Sequence, residues 1–134
     1  MPQCMLRVIG SARKIRKFLE CSSFEPSSVF YKGDPGFPRS RGPRMTSGFN
    51  IVLSVSNNGL IKTQTKEAAA FIKKRYEEFE RLSRFGFDSV CLDFGLFDLS
   101  TEDSPWPSYR LPNKIIEYSG VLGFEVILSF YGRE

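Results

Sequence analysis

Residues 48–56 read GFNIVLSVS, and this stretch decides the fold. Phe49, Ile51, Leu53 and Val55 fall on one side of an extended chain, Asn50, Ser54 and Ser56 on the other, and only Val52 breaks the alternation. A period of two belongs to a strand with one buried and one polar face, as in an antiparallel sheet covered on one side only. Asn57, Asn58 and Gly59 close the strand as a turn.

Upstream, residues 24–44 change character, with prolines at 26, 35, 38 and 43 and glycines at 33, 36 and 42. Val29–Tyr31 reads as a brief extended piece, and Lys32 to Arg44 as a long loop without regular structure. Loops of this length are often functional. Further back, the apolar run Met5–Ile9 is a strand closed by Gly10. Ser11 then caps a helix that puts Ala12, Ile15, Phe18 and Leu19 on one face and ends near Cys21–Ser23.

Downstream, the spacing of Ala68, Phe71, Ile72, Tyr76, Phe79 and Leu82 predicts one long helix from Thr65 to about Phe85, stopped by Gly86. Its outer face carries Glu77/Arg81 and Glu80/Arg84 four residues apart. A strand over Val90–Phe97 follows, with Val90, Leu92, Phe94 and Leu96 inward, and then a second loop, Asp98–Tyr109, holding Pro105, Trp106 and Pro107. Pro112 opens a third helix with Ile115, Ile116, Ser119 and Leu122 on its face, and Gly123 ends it. The last strand is Phe124–Tyr131, with Phe124, Val126, Leu128 and Phe130 inward. The class is therefore α+β: an antiparallel or mixed sheet of four to five strands with three helices mainly on one face. The preferred layout is a ferredoxin-like βαββαβ core with an added αβ unit.

The chain has 134 residues, the length of one domain spanning 1–134, and its thirteen Phe imply a core built on aromatic rings. Cys4, Cys21 and Cys91 lie far apart in no CxxC spacing, which points to free thiols in a reducing compartment. With neither an apolar leader nor a run long enough to span a bilayer, the expectation is a cytoplasmic protein with no membrane partner.

The absence of His removes Ser-His and Cys-His nucleophile pairs and imidazole metal ligands, leaving acid–base work to carboxylates, Lys or Tyr. Asp93, Asp98, Glu102 and Asp103 fit no calcium-loop spacing, and Lys32-Gly33-Asp34-Pro35 lacks the GxxxxGK[ST] spacing of a phosphate loop. No catalytic residue, cofactor or metal site is assigned. An enzyme built around Asp93 and the Lys32 loop is the weakest of three readings, because it requires a concave pocket joining them.

Charge is the stronger signal. Residues 1–66 carry 11 basic and 3 acidic side chains, against 8 and 12 in residues 67–134. Arg13, Lys14, Arg16 and Lys17 crowd the first two turns of the first helix, where cations oppose the helix dipole. A local cost of this kind is expected where charge is kept for a partner. The candidate partner-binding set is Arg13, Arg16, Lys17, Lys32, Arg39, Arg41 and Arg44, with Trp106 as an aromatic anchor. The expected partner is a protein with an acidic surface, and the expected role is that of a non-enzymatic binding domain, of the immunity type that neutralises a bacterial toxin. Nucleic-acid binding through the same basic half is the alternative. Against it, the open sheet face would show two aromatics, Phe97 and Tyr131, beside two carboxylates, and no RNP-type segment is present.

Three segments resemble the small bacterial domain-of-unknown-function 4279 family: FEPSSVFYKGDP at 24–35 after the first helix, SGFNIVLSV at 47–55, and YRLPNKIIEYSGVLGFEVILSFYG at 109–132. The family pattern places a Trp near Phe49. The resemblance implies the α+β fold and transfers no functional residue, since the family carries no established activity.

Overall fold

The structure is a computed structural model that describes residues 2–36 and 38–132, apart from the side chain of Arg39. Its centre is β1 (Cys4–Gly10), where Cys4, Leu6 and Val8 are fully buried and Met5, Arg7 and Ile9 are half-buried on the opposite face. β3 (Ser47–Val52) pairs antiparallel with one edge of β1, placing Ile51 opposite Leu6 and Phe49 opposite Val8. β4 (Ser89–Leu96) pairs antiparallel with the other, placing Leu92 opposite Leu6 and Phe94 opposite Cys4. β2 (Ser28–Phe30) lies antiparallel outside β3, and β5 (Glu125–Phe130) lies parallel outside β4. The five-stranded mixed sheet therefore has the order β2-β3-β1-β4-β5. Since β3 runs against both β1 and β2, those two point the same way, joined through α1 (Ala12–Glu20). β3 and β4 are related likewise, with β1 between them.

Four α-helices stand where three were expected. The long helix starts four residues early and breaks at Arg75 (φ −120°, ψ 34°) into α2 (Ile61–Lys74) and α3 (Tyr76–Arg84). The cause is tertiary. The Glu78 carboxylate accepts hydrogen bonds from Ser22 Oγ (2.7 Å), Ser23 N (2.6 Å) and Ser23 Oγ (2.6 Å), so α3 is held against the segment that leaves α1. The Arg75 guanidinium lies over the rings of Phe71 (5.1 Å) and Phe24 (5.8 Å) at the break. Gly86 (φ 82°) ends this pair, and Gly123 (φ 73°) ends α4 (Asn113–Leu122); both lie in the left-handed region that favours glycine.

The strand that decides the fold is shorter than its pattern. It leaves the ladder after Val52, and Ser54 turns inward, accepting a hydrogen bond from Cys4 N at 2.9 Å. Glu67 from α2 accepts from the backbone N–H groups of Val55 (2.8 Å) and Ser56 (3.2 Å) and holds this turn. Ser56 bonding keeps the Glu67 carboxyl below its ordinary range.

One core contains the helix faces and one side of the sheet. Ile15, Phe18, Ala68, Ile72, Phe79, Leu82, Ile115 and Leu122 meet Leu6, Val8, Phe49, Ile51, Leu92, Phe94 and Leu96. Phe18 is its hub, with ring centroids of Phe85, Phe87, Phe49 and Phe24 at 5.3, 5.6, 5.8 and 6.2 Å. The expectation for β5 needs correction. Phe124 is buried, but Leu128 and Phe130 are 37% and 50% exposed, because β5 is the edge of the sheet that the described residues form. All three cysteines are free, and burial pushes the Cys4 and Cys91 thiols up. Among the described residues, no helix is long and apolar enough to cross a membrane.

Two outcomes follow from this packing. Phe18→Ala is expected to cost about 3–5 kcal/mol in urea unfolding, the range for deleting a buried aromatic side chain. For Glu78, burial would raise the carboxyl, but the bonds from Ser23 and Ser22, with Arg75 nearby, outweigh it and hold the group below its ordinary value. A lowered folded value gives stability that is present above the unfolded value and is lost as the pH falls through the folded one. Glu78→Gln is therefore expected to cost about 1 kcal/mol at neutral pH, a modest figure because the group is only half-buried. The gap to wild type should narrow as the pH falls below the ordinary glutamate value of about 4.3 and close below the lowered folded one.

Candidate functional site

The Gly/Pro stretch is more ordered than its composition suggests. Asp34 Oδ2 accepts from Tyr31 N at 2.7 Å, closing a turn. Gly33 N donates to Arg44 O (2.9 Å), Arg44 N to Asp34 O (2.7 Å) and Gly36 N to Gly42 O (3.1 Å). Pro35 and Pro43 form an antiparallel bridge between the two arms, and Arg39–Arg41 form a single 3-10 turn at the tip. The expectation of a loop without regular structure is thus corrected: prolines stop a continuous ladder, but the N–H groups between them still pair. At Gly36 the arms approach so closely that a Cβ would run into the Gly42 carbonyl oxygen.

This braced loop stands at the end of the sheet where Gly10 faces Ser47, beside the start of α1. Lys32 N donates to Ser47 Oγ at 2.9 Å. The Arg44 guanidinium lies 4.6 Å over the Phe30 ring, and that of Arg16 lies 4.5 Å over Tyr31. Each stack holds the cation in place and leaves its donors free. Arg13, Lys17, Lys32 and Arg41 are exposed. Among the described residues, none of Arg13, Arg16, Lys17, Lys32, Arg41 and Arg44 forms an ion pair. Lys14 differs, since its Nζ donates to Gly86 O at 2.8 Å and ties α1 to the end of α3. Two carboxylates sit close by: Asp34 is engaged in its turn, while Asp88 shares with Lys32 a shallow depression of about 330 Å³ beside Ser11. The Arg39 side chain lies outside the described residues.

Trp106 does not join this cluster. It follows β4, at the end of the sheet where Cys4 faces Phe94, opposite the end that carries the loop. It is 87% exposed. Tyr109 supports its loop by accepting from Leu99 N (2.9 Å) and donating to Phe97 O (3.2 Å). The structure therefore assembles the basic residues of α1 and the 31–46 loop on one end and leaves the aromatic anchor at the other.

The open sheet face has a polar centre that sequence reasoning missed. Arg7 Nε donates to Asp93 Oδ2 at 2.8 Å and Ser129 Oγ to Asp93 Oδ1 at 2.6 Å. Asp93 is 8% exposed, and both its oxygens are engaged at the Cys4 end of the sheet, whereas Lys32 bonds to Ser47 at the Gly10 end. That arrangement removes the geometry an enzyme using Asp93 and Lys32 required. Nor does Phe97 lie open as expected; it packs over Gly59. Phe30 and Tyr131 cover Gly48 and Gly95 near the two edges, with the ion pair between them. Among the described residues, no three His, Cys, Asp or Glu side chains converge as a metal site.

Comparisons with protein-family models, curated proteins and solved structures returned no match. The brace itself is testable. Gly36→Ala is expected to separate the Pro35/Pro43 arms at a cost of about 1 kcal/mol. In hydrogen exchange the Arg44 and Gly33 amides should lose protection while the β1 amides keep theirs.

Proposed function

We propose that this chain is a non-enzymatic protein-binding domain whose α1 and 31–46 loop end meets an acidic surface on a partner protein. The observation that carries the reading is the set of unpaired cations Arg13, Arg16, Lys17, Lys32, Arg41 and Arg44, two of them held over aromatic rings. Pre-positioned cations lose less side-chain freedom on binding, and a patch with an excess of positive charge steers an oppositely charged partner. A binding domain of the immunity type, which neutralises a toxin in the bacterial cytoplasm, is the biological form of this proposal. A ferredoxin-like core extended by an αβ unit is the matching fold reading, and the antiparallel order β2-β3-β1-β4 with β5 added in parallel supports it.

Nucleic acid is the second reading, because the same cations suit phosphates. It is the weaker one, since the middle of the open face holds the Arg7–Asp93 pair where stacking aromatics would be needed.

The test is a pull-down with the full chain and with R41E/R44E, followed by titration of the captured protein. The expected outcome is an acidic partner whose affinity falls about tenfold or more in the variant and declines with salt. Equal binding by the variant overturns the proposal. Saturable binding of mixed-sequence RNA or DNA at about 50 mM salt, lost in R41E/R44E, selects the alternative.

A further inference from the structure

A second cationic feature lies away from the loop, between α2 and the start of α4. There an open groove of about 880 Å³ runs between the two elements. Ile61, Thr65 and Ala69 line one wall as a stripe along α2, and Leu111 and Pro112 line the other. Both rims are basic: Lys62 and Lys66 stand on one side, Arg110 and Lys114 on the other, and among the described residues no carboxylate lines the groove. Among the described residues Lys62, Lys66 and Arg110 form no ion pair, while Lys114 has Glu117 at 3.6 Å in a largely exposed contact.

The local sequence makes this placement unfavourable in the absence of an anion. Lys62 and Lys114 lie in the first turns of α2 and α4, at the positive ends of their helices. Neither first turn has an acidic residue, and neither N-cap, Leu60 or Pro112, supplies a capping side chain. α1, by contrast, is capped by Ser11 Oγ. The charge balance across the groove calls for a negative occupant.

We propose that this groove docks an acidic amphipathic helix of a partner protein, with its apolar stripe on the Ile61–Ala69 wall and its carboxylates against the two basic rims. The charge and the α2 stripe select this occupant: an amphipathic helix can lay its apolar face along Ile61, Thr65 and Ala69 while its acidic flanks reach both basic rims, whereas a small ligand is normally enclosed on most sides. Among the described residues no aromatic side chain lines the groove, so a nucleic-acid strand would find charge without a stacking platform. The site is separate from the 31–46 loop, and its test does not depend on that reading.

The probe is a fluorescein-labelled peptide of about 16 residues, about four helical turns, with Leu at helical spacing and Glu on both flanks, titrated by anisotropy against the full chain. Saturable binding is expected, weakened about tenfold or more by K66E/R110E and by A69R, which fills the wall. The Gln-for-Glu peptide and a peptide with the same composition in scrambled order should both bind at least about tenfold more weakly. R41E/R44E should bind like wild type. Circular dichroism reports whether each variant folds, and K62Q/K114Q replaces any that does not, with an expected loss of several-fold. The inference is overturned if the scrambled or Gln peptide binds as tightly, if K66E/R110E and A69R both bind as wild type does, or if mixed-sequence RNA binds the groove more tightly at equal salt. Loss of the peptide in R41E/R44E alone would move it to the loop and end this proposal while leaving the other standing.

Discussion

β1 is hydrogen-bonded along both edges at once, to β3 on one side and β4 on the other, in antiparallel registers that place Leu6 between Ile51 and Leu92. This double ladder constrains the rest. With β1 in the middle, each connection from β1 or β3 must cross over a neighbouring strand to reach its next parallel position, and the crossing segments are helical. Their apolar stripes share one core with one side of the sheet, and the other side keeps its polar centre. The charge of that open side is settled internally. Asp93 is neutralised by Arg7 and bonded by Ser129, so the face presents little unbalanced charge at its middle.

Arginine is used differently around the molecule. Arg75 and Arg81 lie over the rings of Phe71, Phe24 and Phe18, and there the cation is part of the packing. Arg16 and Arg44 lie over Tyr31 and Phe30 at the surface, and there the ring serves the cation. Guanidinium suits both uses because its flat face stacks while its edge still donates. The difference separates arginines that a partner can reach from those that close the core.

Local patterns were legible in the sequence wherever one residue's surroundings came from its near neighbours. The alternation of Phe49, Ile51 and Leu53, the Ser11 cap, and Gly86 and Gly123 in left-handed positions all read correctly. Errors arose where distant segments decide. The apolar spacing from Ala68 to Leu82 suits one helix, and the break at Arg75 depends on Glu78 finding Ser22 and Ser23 more than fifty residues away. Prolines 35 and 43 read as a bar to pairing, yet they face each other across a bridge. The basic loop end was visible as charge density, but Trp106 was placed with it by chemistry alone, and topology puts it at the opposite end. The groove had no signal in any one window, because its rims come from segments around residues 62 and 110.

The position of β1 also bears on how the chain is made. Arg7 and Asp93 are 86 residues apart, and the second edge of β1 has no partner until β4 has been synthesised. At translation speeds of about 5–20 residues per second, that wait is roughly 4–16 s. During it, the nascent chain holds a central strand with one edge unfilled and an incomplete apolar cover.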